Sequence, residues 1–205
     1  MKKLKVFFLW WLVIPHVLVF ELSKHHNTIC IDIERWMACS ESHLPKLSSF
    51  INVRLSLIYL LLNFQEFRNV FYLRSGKIKY LLSYLRPLSS LYIWTKNAEF
   101  GAGTYIQHGF ATVITAKHIG VNCWINQQVT IGYSNSKSKG LGNPWIGDNV
   151  RVSCGAKVCG PITVGNNCTI GANAVVVKDV PDNTVVIPSP TVVIEQDGVK
   201  CNKKL

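Results

Sequence analysis

The sequence predicts a parallel β-helix built from six-residue repeats and preceded by an α-helical region. Aliphatic residues recur every six positions at Ile146, Val152, Val158, Val164, Ile170 and Val176, and Ile119, Ile125 and Ile131 keep the same step upstream. A small residue often follows the aliphatic one, as at Gly120, Gly132, Gly147, Ser153, Gly165 and Gly171. Before residue 95 the period differs: Leu55, Leu57, Ile58, Leu61, Leu62, Phe64, Phe67, Val70 and Phe71 recur at three and four, the spacing of a helix face.

The chain opens with Lys2, Lys3 and Lys5 ahead of an apolar run from Val6 to Phe20 that contains Pro15 and His16. The run falls short of the ~20 residues that span a bilayer, and no small-residue cleavage site follows it. It predicts an apolar helix that packs against the next helices or lies on the cytoplasmic face of a membrane with its lysines at the headgroups. Ser75 and Gly76 punctuate the helical pattern, and Pro87 ends or kinks the segment that follows. The expected organisation is a helical region over 1–95, a β-helix over 96–194 with a loop at 133–145, and a tail over 195–205.

In the repeat, each aliphatic residue points inward from a short strand and the small residue lets the chain turn a corner. Three strands make one triangular coil of 18 residues, and stacked coils bury a column that no single coil could bury. Asn122, Asn149, Asn166 and Asn167 suit the corners because asparagine tolerates positive φ. A β-sandwich would instead alternate with period two. Between Ile131 and Ile146 the step is 15, so "GYSNSKSKGLGNPW" is thrown out as a loop, and such loops on rigid scaffolds carry function.

Twenty-two basic residues against 11 acidic ones give a formal net charge of +11 over 205 residues. The basic residues are scattered among apolar runs, and no zinc-finger, helix-turn-helix or aromatic RNA-binding pattern accompanies them, which argues against a nucleic-acid partner. Seven cysteines without a CxxC pair make neither a disulfide framework nor a metal site, so no metal is expected. Four of them, Cys123, Cys154, Cys159 and Cys168, fall inside the repeat as small hydrophobes.

From Phe100 to Ile194, "FGAGTYIQHG", "IGVNCWINQQVTIG" and "IGDNVRVSCGAKVCGPITVGNNCTIGANAVVVKDVPDN" resemble the hexapeptide-repeat acyltransferases, and most closely their serine acetyltransferase branch. The resemblance implies a left-handed β-helix, homotrimers with active sites between neighbours, and acetyl-CoA as co-substrate. In that branch the histidine of an "xxHG" turn just after a "(I/F)GxG" turn is the general base, and here that residue is His108. An imidazole can take a hydroxyl proton as a thioester is attacked. By resemblance, backbone N–H groups near Gly132 and Tyr133 serve the oxyanion, and Cys154, Gly155 and Ala156 with Gly171 and Ala172 line a groove for the pantetheine arm. Lys157 and Lys178 are candidates for the CoA phosphates.

The departures from that branch concern the acceptor. Gln107 stands where an aspartate precedes the base, Gly142, Asn143 and Pro144 replace an "RHP" tripeptide, and Ile93 occupies the place of the aspartate that orients the histidine. Asn97 or Glu99 could substitute for it. Near the C-terminus Pro188 and Val192 replace a glycine and a basic residue. An acceptor pocket containing Gln107 and Asn143 suits a neutral sugar hydroxyl better than zwitterionic serine. The expectation is therefore a cytoplasmic O-acetyltransferase that acts on an envelope or capsular polysaccharide, and it is peripheral on the inner membrane face if the first apolar helix meets the membrane instead of packing in the fold. The alternatives are a serine O-acetyltransferase of cysteine biosynthesis and a non-catalytic β-helix scaffold docked at a membrane.

Overall fold

A computed structural model describes residues 2–40, 49–136, 139–189, 192–196 and 199–204. Six helices come first: α1 (Lys2–Leu9), α2 (Ile14–Glu21), α3 (His26–Cys39), α4 (Ser49–Asn63), α5 (Gln65–Ser75) and α6 (Lys79–Leu82). The apolar run expected as one helix is two, joined by a 3-10 turn at Trp10–Val13, with Pro15 in the first turn of α2. A proline lacks the N–H that an interior position needs, and the start of a helix is where that loss is harmless. The chain leaves α5 at Gly76, whose φ of +60 suits a residue without Cβ.

The repeat forms a three-faced left-handed parallel β-helix. Face 1 stacks Leu91–Ile93, Thr112–Ile114, Thr130–Gly132, Lys157–Cys159 and Val175–Val176. Face 2 stacks Tyr105–Ile106, Trp124–Ile125, Arg151–Val152, Thr169–Ile170 and Val185–Val186. Face 3 stacks His118–Ile119, Trp145–Ile146 and Thr163–Val164, with bridges from Phe100 above and to Val180 below. The first strand of face 1 lies ahead of residue 96, so the β-helix begins inside the stretch expected to be helical. Beyond the coils, Val192–Gln196 and Val199–Lys204 pair in antiparallel fashion.

The six-residue aliphatics fill the column: Ile119, Ile131, Val158, Val164 and Ile170 are fully buried. Cys123 and Cys168 occupy inward positions as well, and burial pushes the Cys123 thiol up to about 12. At the corner from face 3 to face 2, Asn122, Asn149, Asn167 and Asn183 all take φ between 56 and 58. Their amides form a ladder: Asn122 Nδ2 donates to Asn149 Oδ1 (2.8 Å), Asn149 Nδ2 to Asn167 Oδ1 (3.2 Å), and Asn167 Nδ2 to Asn183 Oδ1 (3.0 Å). Asn166 is not one of the left-handed residues; its Oδ1 instead accepts from the Asp148 N–H (2.8 Å).

A buried ion pair of the helical region also grips the first coil of the β-helix. Arg74 on α5 donates from Nε to Asp32 Oδ2 on α3 (3.0 Å), with side chains 1% and 2% exposed. The same guanidinium reaches the first coil at Asn97 Oδ1 (2.8 Å), the Phe100 carbonyl (2.6 Å) and the Gly101 carbonyl (3.0 Å). Asp32 Oδ1 in turn accepts from the Gly103 N–H (2.7 Å). Beside this clamp, Trp36 Nε1 donates to the Thr104 carbonyl (3.0 Å). Arg74→Met leaves Asp32 buried and unpaired, so it should cost about 3–5 kcal/mol in urea unfolding, whereas a surface change such as Lys117→Met should cost under about 0.5 kcal/mol.

His16 of α2 is fully buried. The Tyr72 hydroxyl points its proton at the Leu82 (2.8 Å) and Leu85 (2.7 Å) carbonyls, so His16 Nε2 acts as donor to Tyr72 Oη (3.0 Å). Burial holds the imidazole down at about 4, with the Arg68 charge adding in the same direction and the Leu82 carbonyl opposing. The unfolded chain takes up this proton near 6.5 and the folded one only near 4, so His16 lowers stability as pH falls through that window. Between pH 7 and pH 5, His16→Gln should lose about 2 kcal/mol less of its unfolding free energy than the unsubstituted chain.

Candidate active site

The candidate site begins where the repeat is interrupted. From face 2 to face 1 the inward aliphatics are six apart in three coils, Ile125 to Ile131, Val152 to Val158 and Ile170 to Val176, but eight apart from Ile106 to Ile114. In the regular coils this corner carries one left-handed residue: Gln128 (φ 58), Gly155 (φ 71) and Asn173 (φ 58). Ala111 (φ 52) sits in register above them, and His108 (φ 54) is an additional left-handed residue in the two-residue bulge. A non-glycine residue there is strained, and the repeat does not require it.

The bulge is closed by the Phe110 N–H donating to the His108 carbonyl (2.5 Å). Gly109 sits in a tight space, because a Cβ there would lie 2.9 Å from Ile106 Cγ2, 3.1 Å from Leu91 Cδ2 and 3.3 Å from Glu66 Cγ and would push these side chains aside. The His108 side chain is exposed and has no hydrogen-bond partner among the described residues. Its neighbour Gln107 is fixed: Oε1 accepts from Trp124 Nε1 (3.2 Å) and Asn126 Nδ2 (3.0 Å), which leaves the NH2 group for another acceptor.

Cys154, Gly155, Gly171 and Ala172 follow below His108 along this corner. Cys154 and Gly155 are half-buried and Ala172 is exposed, so this corner presents only small groups to its surroundings. Corner packing alone accounts for two of the glycines: a Cβ would lie 2.0 Å from Asn173 Oδ1 at Gly155 and 2.9 Å from the Val186 carbonyl at Gly171. The amides are not free either, since Gly155 N–H donates to the Gln127 carbonyl (3.0 Å) and Asn173 N–H to the Cys154 carbonyl (2.9 Å). Ala156 does not line the groove as expected; it is fully buried, its methyl in the core and its N–H bonded to the Ser153 carbonyl (3.2 Å). Lys157 is also engaged, with Nζ donating to the Gln128 carbonyl (2.6 Å).

The other expected residues lie at the opposite edge of face 1. Gly132 and exposed Tyr133 end its strand, Asn143 closes the loop, and exposed Lys178 lies below them. A Cβ at Gly132 would meet only Thr130 Cγ2 at 3.7 Å, so internal packing does not demand glycine there. The loop is a hairpin, Ser134–Ser136 with Gly140–Gly142, folded down its own edge: Gly142 packs on Pro161, and Lys139 pairs with Asp179 (2.5 Å). Within one chain, His108 and the loop are therefore separated by the width of face 1.

Neither substitute for the missing aspartate meets His108. Asn97 Oδ1 accepts from Arg74, and Glu99 Oε2 pairs with His118 Nδ1 (3.0 Å). His118 stacks on Trp145 with centroids 4.9 Å apart and planes at 14°. With Trp94, Glu99, Lys117 and Asn143 they line a cavity of about 420 Å³, in which Asn143 Oδ1 is buried and lacks a partner among the described residues. Sequence reasoning passed over Glu66, a carboxylate that α5 brings against the His108 bulge from 42 positions upstream.

The fold and its six-residue step define a hexapeptide-repeat β-helix, and residues 143–178 match the bacterial transferase hexapeptide (six repeats). Within that class the chain resembles the serine acetyltransferase branch. It is 42% identical over 107 residues to a serine acetyltransferase of Staphylococcus aureus, covering 52% of this chain and 50% of the relative. It is 43% identical over 109 residues to that of Bacillus pumilus, covering 53% and 50%. The chain thus spans about half the length of the curated relatives it matches. Among solved structures, the Neisseria gonorrhoeae serine acetyltransferase in complex with serine aligns with a TM-score of 0.57 at 26% identity, covering 80% of this chain and 67% of that one. The native serine acetyltransferase 1 of Entamoeba histolytica aligns with a TM-score of 0.60 at 24% identity, covering 91% and 72%.

Proposed function

We propose that this chain is a CoA-dependent O-acetyltransferase that works as a homotrimer on an uncharged hydroxyl acceptor, a sugar of an envelope or capsular polysaccharide, at the inner face of a membrane. The observation that carries the reading is the bulge at Gln107–Ala111. The stacking of coils needs one left-handed residue at this corner, and the chain supplies a second that puts an exposed imidazole above a corner of small residues. Bound acetyl-CoA supplies an activated acetyl carbon. His108 takes the proton of the attacking hydroxyl and returns it to the departing thiolate, so the imidazole ends as it began. Cys154, Gly155 and Ala172 leave room for an extended arm, and exposed Lys178 offers a charge for its phosphates.

The separation of His108 from Tyr133 and Asn143 supports the trimer. A threefold arrangement that sets the His108 corner of one copy beside the loop corner of the next completes a site that neither edge holds alone. In such a site the Gln107 NH2 group and the Asn143 side chain are neutral amides of the kind that read hydroxyls, and they bring no charge opposite to an ammonium or a carboxylate. Glu66 packs its Cγ against the bulge at Gly109, but among the described residues no hydrogen bond joins its carboxylate to His108, so the orienting role is left unassigned.

Serine is the second reading, favoured by the relatives named serine acetyltransferase. Thiol release from acetyl-CoA with L-serine as sole acceptor separates the two: kcat/KM is expected well below ~10⁴ M⁻¹s⁻¹, and a value at or above it would replace the sugar by serine. His108→Asn should lower turnover by roughly a hundredfold or more with CoA affinity kept. If His118→Asn is the damaging change and His108→Asn is not, the base belongs to the Glu99–His118 pair.

A further inference from the structure

The N-terminal helices carry an apolar face that the fold leaves open. Val13, His16 and Phe20 point into the core. On the other side Phe7, Trp11, Ile14, Leu18 and Leu22, spaced by four, three, four and four, are 73%, 56%, 42%, 57% and 87% exposed. A helix apolar on both sides suits apolar surroundings on both sides. Sixty residues on, the segment 76–86 exposes Ile78 (48%), Tyr80 (73%), Leu81 (79%) and Tyr84 (52%).

These two segments form one surface. The Tyr84 hydroxyl donates to the Leu12 carbonyl (2.6 Å), and the Tyr84 ring meets His16 edge-on at 5.4 Å. At the far end of α2, Leu22 and Lys24 share a cavity of about 560 Å³ with Lys77 and Ile78. Residues 76–86 contain no aspartate or glutamate and residues 1–24 contain one, Glu21, which pairs with Arg54 (2.7 Å), while the two segments hold Lys2, Lys3, Lys5, Lys24, Lys77, Lys79 and Arg86. Among the described residues no helix is long and apolar enough to cross a membrane.

We infer that this surface docks on a bilayer of anionic phospholipid, with residues 76–86 as a second anchor beside α1 and α2. The inference rests on the membrane placement proposed above and adds the second anchor, which no sequence signal marked. Exposed aromatic and aliphatic groups enter the acyl boundary, and the lysines meet phosphate headgroups. A second copy of the chain is the poorer occupant, because a twofold contact through this face opposes lysines to their own copies.

The test is co-sedimentation of the full chain with vesicles of phosphatidylcholine alone and of phosphatidylcholine mixed with phosphatidylglycerol. Binding is expected on the mixed vesicles and should weaken with salt. Trp11→Asp/Leu18→Asp and Tyr80→Asp/Leu81→Asp should each lower partitioning by roughly tenfold or more, and Lys77→Glu/Lys79→Glu by a similar factor on the mixed vesicles only. Unchanged melting temperatures and thiol release show that the variants remain folded. Full binding by Tyr80→Asp/Leu81→Asp overturns the second anchor and leaves the membrane placement standing. Absence of binding by the unsubstituted chain overturns both. A drop in oligomer size in the same variant, without vesicle binding, assigns the face to a second copy and overturns the inference.

Discussion

The guanidinium of Arg74 is the joint on which the two halves of this molecule depend. It is out of water, as is the Asp32 carboxylate, and burying either charge alone costs several kcal/mol, so each is tolerated only while the other is in place. The remaining donors of the fork are spent on the first coil at Asn97, Phe100 and Gly101. Helical packing and coil closure therefore form together. A lysine here would keep the charge and lose the fork that addresses four residues at once.

That joint explains the position of the candidate base. α3 and α5 are held against the top of the β-helix, which brings Glu66 and Leu91 over Gly109 and leaves the bulge no route but outward. His108 is exposed because the helices occupy the space on the other side of its turn. Strain at one residue is thus supported by packing from three elements, the arrangement in which a sparsely populated backbone conformation persists.

The β-helix was legible because its signal is arithmetic. A six-residue step repeated without a miss survives any local ambiguity, and residue pairs 18 apart do stack, as Val152 with Ile170. The left-handed corners at Asn122, Asn149 and Asn167 were readable from residue chemistry, but Asn166 was not separable from its neighbour, since the same side chain serves as a corner residue or as an acceptor for the next coil. Ala156 looked like groove lining because smallness is wanted both outside and inside a coil, and only burial tells the two apart. The break of the first apolar helix followed from Pro15, whose effect depends on where the helix starts. Least legible were contacts between distant segments. Asn97 and Glu99 are near His108 in sequence yet serve Arg74 and His118, while Glu66 reaches the bulge through helix packing that no spacing rule encodes.

The coils are not of equal length. Phe100, Ile119, Ile146, Val164 and Val180 pair in succession at spacings of 19, 27, 18 and 16 residues, and the faces stay in register throughout. Hydrogen bonds run from coil to coil, so a strand cannot gain or lose a residue without turning its aliphatic group to the wrong side. A corner has no such constraint. The architecture therefore separates two kinds of inheritance: strands are held fixed by the column they fill, while corners are open to insertion, deletion and recombination. In the function proposed above, acceptor choice resides in corners, at the His108 bulge and the hairpin of Ser134–Ser136 with Gly140–Gly142, so a lineage could exchange one acceptor for another by rewriting a few turns on an unaltered frame.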